Sequence, residues 1–194
     1  MVGLAYIVAL VIGFATRGLS APIFDPLLAI MEVLTLIAAP LMLVMTAAIH
    51  RRASDERKTM GLLAFAFMLL MTGTTSAVHF VNLTATRQLG TALLVWPSPA
   101  YALELLAWDV FLGLSLVFAA FTFQGSGRAS HVKRGLLVCG LLCLVGAVGP
   151  AVGNMRLQLI GIFAYGGVLP VVALDLSRLF RGEVVATSSF PRRT

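Results

Sequence analysis

Six apolar stretches alternate with short polar connections along this chain, and its basic residues are shared unevenly among those connections. The connections after the second, fourth and sixth stretches hold Arg51, Arg52, Arg57, Lys58, Arg128, Lys133, Arg134, Arg178, Arg181, Arg192 and Arg193. The other three hold one arginine each, Arg17, Arg87 and Arg156. Lys and Arg in short loops stay on the cytoplasmic side of a membrane, so this split of 11 to 3 orients the chain. The pattern predicts an all-α, polytopic membrane protein: a six-transmembrane-helix bundle with both termini in the cytoplasm. A bacterial inner membrane is the expected location.

Composition agrees. Charged residues make up 11% of the chain and hydrophobic ones 59%, whereas a soluble domain carries roughly 25% charged residues. The length of 194 residues allows about six spans of roughly 20 residues and little else. We expect one transmembrane domain over 1–181, with spans near 2–16, 26–49, 60–82, 100–123, 133–152 and 157–180, and a disordered cytoplasmic tail over 182–194. The net charge of +6 follows from the loop arginines, so anionic lipid headgroups are the expected partners and nucleic acid is not. Residues 1–16 lack the basic start of a cleaved signal peptide. Cys139 and Cys143 lie four apart in an apolar run and read as packing residues.

Punctuation supports these bounds. Asp25 is an expected N-cap with Pro26 at the first helical position, and Ser54-Asp55-Glu56 reads as a capped, acidic helix start. Ser20-Ala21-Pro22 breaks the chain before helix 2, and the longest outer connection is expected over 83–100, ending in Trp96-Pro97-Ser98-Pro99. Pro170 is expected to interrupt the last helix. Gly146, Gly149 and Gly153 share a helix face that permits close backbone contact.

Function must be sought in the polar residues at membrane depth, because charge there is expensive and faces a bundle interior or a cavity. Glu32, Glu104 and Asp109 fall in the outer half of their spans, about 6 to 14 Å below the helix ends at 1.5 Å per residue. His79 and Asn82 on helix 3 arrive at the same level, as do Asn154 and Gln158. Asp175 with Arg178 reads as a surface ion pair, and Asn154 as a turn residue. Thr72, Thr75, Ser76, His79 and Asn82 form one helical stripe; taken singly, the hydroxyls of Thr72, Thr75 and Ser76 are expected to bond their own backbone. Tyr101, Glu104 and Trp108 share a face of helix 4, with Asp109 about 140° away from Glu104. That angle places Asp109 deeper in the bundle and Glu104 nearer its mouth.

Carboxyls and an imidazole under an apolar roof suit general acid/base chemistry. A carboxyl held out of water favours its neutral form, so one of Glu32, Glu104 or Asp109 is the expected proton donor, with His79 orienting or relaying. Tyr101, Trp108, Tyr6 and Trp96 would line the mouth, where aromatic faces stabilise cations; Asn82, Ser76 and Gln158 are the expected substrate contacts. The segment Ala107-Trp108-Asp109-Val110-Phe111 resembles the Trp-acid pair of the small integral-membrane terpene cyclases of meroterpenoid and indole-diterpene pathways. That resemblance implies Asp109 as proton donor, a second acid at Asp175, a lipid-soluble isoprenoid substrate and a cyclase or isomerase type of reaction. Those cyclases are generally described with seven spans, and six are counted here. Thr75-x-x-x-His79 followed by Asp109 is similar to part of the pattern of the membrane hydrolases that include alkaline ceramidases. Their His-x-x-x-His is missing, since the other histidines, His50 and His131, lie in loops. No metal or other cofactor is therefore expected. Two alternatives to an enzyme stay open: a non-catalytic membrane binding or assembly subunit, and a small-solute or proton-coupled transporter.

Overall fold

The computed structural model describes the backbone of residues 2–17, 25–91 and 93–188, with side chains as far as Gly182 except at residues 3, 4, 14 and 17. The expected break at Ser20-Ala21-Pro22 and the arginines at 192 and 193 lie outside the described residues. Among those described the chain is helical with no strand. We number the helices α1 (Val2–Arg17), α2 (Leu27–Arg52), α3 (Asp55–Leu89), α4 (Pro99–Ala120), α5 (Arg128–Ala151) and α6 (Met155–Gly182, its backbone helical to Ser188). The last five are long and apolar enough to cross a membrane. α1, with 16 residues, measures about 24 Å at 1.5 Å per residue, short of a hydrocarbon core of about 30 Å.

Long-range ties fix the relative directions of the helices. Arg87 at the end of α3 pairs with Asp25 at the start of α2. At the opposite end, Arg57 Nη1 donates to the Phe121 carbonyl at 2.5 Å, joining the start of α3 to the end of α4. Lys58 Nζ donates to the Arg51 carbonyl at 3.1 Å and the His50 carbonyl at 3.4 Å, so a cation satisfies the carbonyls at the end of α2. Arg51, Arg52, Arg57, Lys58, Arg128 and Arg181 thus gather at one end of the bundle, hereafter the basic end.

α3, α4 and α5 form the centre, with Met68, Met71, Leu112, Leu116, Leu136 and Cys139 buried together. Gly113 and Gly140 let α4 and α5 approach closely: a methyl on Gly140 would stand 2.7 Å from the Gly113 carbonyl. Ser115 Oγ donates to the Ala64 carbonyl at 2.7 Å, joining α4 to α3. Large apolar side chains such as Val44, Leu69, Phe163, Val171 and Leu174 point outward and stay exposed, a surface suited to acyl chains rather than water.

Several boundaries differ from the sequence reading. α3 continues to Leu89, where Gly90 at φ 62° ends it, the left-handed stop that glycine makes without strain. The following connection is therefore shorter than expected. α5 begins at Arg128, so Lys133 and Arg134 lie on a helix rather than in a loop. The tail is helical as far as Ser188 instead of starting as coil at 182. Pro26 is the N-cap residue rather than the first helical one, and Asp25 Oδ1 still accepts from the Ala29 N–H at 3.2 Å. The Ser54 side chain makes no capping bond; its carbonyl takes the Arg57 N–H instead. Pro170 does not end α6, but the regular α-helix is interrupted just before it, where the wide turn Ala164–Val168 gives way to a new α-helical run from Leu169.

Three helices carry a wide, π-type turn: Asn82–Thr86 in α3, Leu106–Phe111 in α4 and Ala164–Val168 in α6. Such turns are rare and gather at functional sites.

Candidate functional site

The wide turns sit beside a connected group of buried polar side chains. On α2, Glu32 is 1% exposed and its Oε1 accepts from Asn82 Nδ2 of α3. One helical turn before Asn82, His79 Nε2 meets Glu104 Oε1 of α4 at 2.9 Å. The same carboxylate oxygen accepts from Thr75 Oγ1 at 2.6 Å and from Trp108 Nε1 at 2.6 Å. Trp108 Nε1 also reaches Thr75 Oγ1 at 3.1 Å. The Trp108 ring packs on Tyr165 of α6 with centroids 5.1 Å apart. Gln158 Nε2 donates to the Tyr165 hydroxyl at 3.2 Å and lies 3.5 Å from Asp109 Oδ2. Glu32, Glu104 and Asp109 thus belong to one layer that crosses α2, α3, α4 and α6.

Asp109 is fully buried against glycine. A methyl on Gly146 of α5 would stand 3.5 Å from its Oδ1, and one on Gly161 of α6 would overlap the carboxyl itself. Only hydrogen at position 161 leaves room for the acid, while a methyl at 146 would be in ordinary contact with it and would strike the Gly161 backbone instead. Each of the three carboxyls shares a further feature: one oxygen is anchored while the other, Glu32 Oε2, Glu104 Oε2 or Asp109 Oδ1, is buried without a protein partner. His79 Nδ1 is in the same position. Buried polar atoms without partners cost about 1–3 kcal/mol each, so their concentration in one layer calls for a reason.

The sequence-derived candidates divide accordingly. Asp109, Glu32, Glu104, His79, Asn82, Trp108 and Gln158 come together. Tyr101 stands at the rim, its ring edge-on to Trp96 at 5.9 Å, and Ser76 makes no hydrogen bond to the group. Asn154 caps α6 by accepting from the Arg156 N–H at 3.1 Å. Asp175 lies far along α6 and pairs with Arg178 at 3.4 Å.

Two expectations fail. Thr72 and Thr75 do not bond their own helix: Thr72 Oγ1 donates to the Ala39 carbonyl of α2 at 3.2 Å, and Thr75 to Glu104, because acceptors on neighbouring helices lie within reach. Gly153 plays no part in packing; it sits at φ 71° in the turn between α5 and α6 with nothing nearby. One participant was not foreseen. Tyr165 stands seven residues after Gln158, a spacing that returns to the same helix face, and Tyr6 of α1 lies within Coulombic reach of Glu104 and Tyr165.

Two grooves lie at the basic end, one of about 690 Å³ between α2 and α6 and a smaller one of about 160 Å³ beside it. Comparison with protein families, with curated proteins and with solved structures gives no match to this chain.

Proposed function

We propose that the chain is a six-span membrane protein with both termini cytoplasmic, and that its buried acid layer, in the outer half of the bilayer, performs acid/base catalysis on a lipid-soluble isoprenoid. The observation that carries this reading is the pairing in each carboxyl of one anchored oxygen with one unpartnered oxygen. A group that must take or give a proton needs that free position. Asp109, held by one long hydrogen bond and by glycine walls, is the proton donor to an alkene or epoxide. The Trp108–Tyr165 pair offers π faces to the cation that forms. Glu104, whose Oε1 already accepts from three donors, fixes the layer, and with His79 it receives the proton that leaves. Access requires a helix to move, and α1, the shortest and packed chiefly on α2, is the element that opens.

A second reading has its own support. The Glu32–Asn82 and Glu104–Thr75 bonds tie α2, α3 and α4 together, as a non-catalytic assembly subunit would also need. A transport path gains nothing comparable. Toward the basic end Thr46 and Thr122 bond their own helices, and Ser115 is taken by Ala64.

The test is turnover of prenylated alkenes and epoxides by purified protein. Asp109→Asn should abolish product, with a fall of at least about 100-fold, the scale of one acid/base group, while the protein melts close to wild type. Full turnover in Asp109→Asn would remove this mechanism. A lower melting temperature with no turnover by any form would favour the assembly reading.

A further inference from the structure

Among the described residues, Asp109 has one hydrogen-bond partner: Gln158 Nε2 of α6, 3.5 Å from its Oδ2. That is longer than the usual range of about 2.7–3.2 Å, so the aim of the amide decides how much the bond holds. The Gln158 backbone has little freedom. A methyl on Gly149 of α5 would stand 2.7 Å from the Gln158 nitrogen, so α5 fixes where that backbone lies. The amide sits at the far end of a flexible side chain and is aimed by its acceptors. The second of these is the Tyr165 hydroxyl, at 3.2 Å from Nε2. An amide nitrogen carries two hydrogens, and Asp109 and Tyr165 take one each. Gln158 is buried, so losing either acceptor leaves an N–H unpaired at a cost.

Tyr165 is itself held firmly. It stands seven residues after Gln158 on the same helix face. Helical side chains lean toward the N-terminus, and its hydroxyl reaches back to the amide. The wide turn that carries it, Ala164–Val168, is tied to α5 by Cys139 Sγ, which donates to the Ala164 carbonyl at 3.2 Å. Its ring packs on Trp108 of α4, whose Nε1 donates to Glu104 Oε1 at 2.6 Å. Contacts therefore run from one acid of α4 to the other through indole, phenol and amide, although the two carboxyls meet different helices.

We propose that Tyr165 is the positioning residue of this site: its hydroxyl sets the Gln158 amide, and the amide holds the Asp109 carboxyl with Oδ2 anchored and Oδ1 presented to the reacting molecule. The catalytic consequence rests on the reading of Asp109 as proton donor; the geometric one does not. Ring and hydroxyl then have separate duties, the ring facing the cation and the hydroxyl aiming the acid. Without the hydroxyl the amide keeps one acceptor and turns about its last bond, and the carboxyl turns with it.

The full chain in detergent should be followed by infrared spectroscopy, with the Asp109 carboxyl bands identified as those that Asp109→Asn removes. Tyr165→Phe, which keeps the ring, should shift those bands while lowering the melting temperature by no more than about 4 °C, the loss of one hydrogen bond. Gln158→Met, which has no amide, should shift them at least as far, and adding Tyr165→Phe should then move them no further. If Gln158→Met fails to fold, Gln158→Leu replaces it. With prenylated alkenes or epoxides, Tyr165→Phe should lower kcat at least about tenfold and leave KM unchanged, because a misaimed acid loses its near-attack geometry while the ring still faces the substrate. Bands unmoved by Tyr165→Phe would overturn the assignment. An undiminished further shift in the Gln158→Met background would do the same, since the hydroxyl would then act without the amide. So would shifted bands with full kcat. Shifted bands with no turnover by any form would remove the catalytic reading and leave the positioning in place.

Discussion

The glycine pair around Asp109 gives the sharpest stability prediction. In Gly146→Ala the new methyl would stand 2.7 Å from the Gly161 nitrogen and 2.8 Å from its Cα. Carbon contacts are best at about 3.5–4.0 Å, so each gap is about 1 Å too small. Both obstacles are backbone, and no rotamer change relieves them; α5 and α6 must separate. Overpacking of this kind costs about 1–3 kcal/mol, and a rigid obstacle puts the value near the top of that range. Alanine returns up to about 1 kcal/mol through its better helix propensity. The net loss is about 1–2 kcal/mol, a fall of roughly 2–8 °C in melting temperature for a chain of this size. Gly73→Ala on α3, where a methyl meets nothing within 4 Å, should melt at or above wild type. Gly161→Ala separates stability from site geometry, because its methyl strikes the end of the Asp109 side chain, which can turn aside. That variant should melt closer to wild type than Gly146→Ala, yet lose turnover because the acid is displaced. Thermal melts of the three variants in one detergent decide the matter. Equal melting of Gly146→Ala and Gly73→Ala would show that α5 and α6 do not meet through these residues.

Glu104→Ala strands the donors of Thr75 and His79 and leaves Trp108 only its bond to Thr75, so at about 1–3 kcal/mol per buried orphan it should cost at least about 2 kcal/mol in chemical denaturation. Glu104→Gln keeps an acceptor oxygen and should cost less than half as much; equal losses would mean the three bonds carry no weight. Asp25→Asn should cost only about 0.2–1 kcal/mol, because the side chains of Asp25 and Arg87 are 55% and 33% exposed. Its effect should fade in 1 M salt, and a salt-independent loss would contradict an exposed ion pair. Cysteines placed at Thr91 and Ser126 should react with a membrane-impermeant maleimide from opposite sides of the membrane, Thr91 from outside. Labelling of both from one side would overturn the proposed orientation.

The helices were legible because bilayer-length apolar runs, proline, glycine and clustered arginine each leave a direct mark on the sequence. The level of the acids was legible for the same reason, since depth follows from residue count at a fixed rise. What the sequence concealed was finer detail. The wide turn over Leu106–Phe111, between Glu104 and Asp109, left no mark on the sequence. Glu104 meets α3 and Asp109 meets α5 and α6, in keeping with the rotation expected between them, and the Trp108–Tyr165 ring contact links their two hydrogen-bonded groups. The partners of Thr72 and Thr75 were hidden similarly, since which helix offers the better acceptor depends on packing between α2, α3 and α4.

Three wide turns, in the three helices that supply His79, Asp109 and Tyr165, separate the two leading readings of this molecule. Interhelical glue works best when both oxygens of a buried carboxyl are satisfied, because a half-satisfied network is worse than an apolar core. Glu32, Glu104 and Asp109 each leave one oxygen without a protein partner, and the protein departs from regular helix beside them. Selection for packing alone would favour neither feature: a regular helix with an apolar side chain at position 109 would avoid the cost of a buried acid. Retaining the acid, the glycines and the wide turns together supports a role in which the carboxyl position itself matters, and proton transfer to a bound molecule is the role that uses an anchored oxygen and a free one at once.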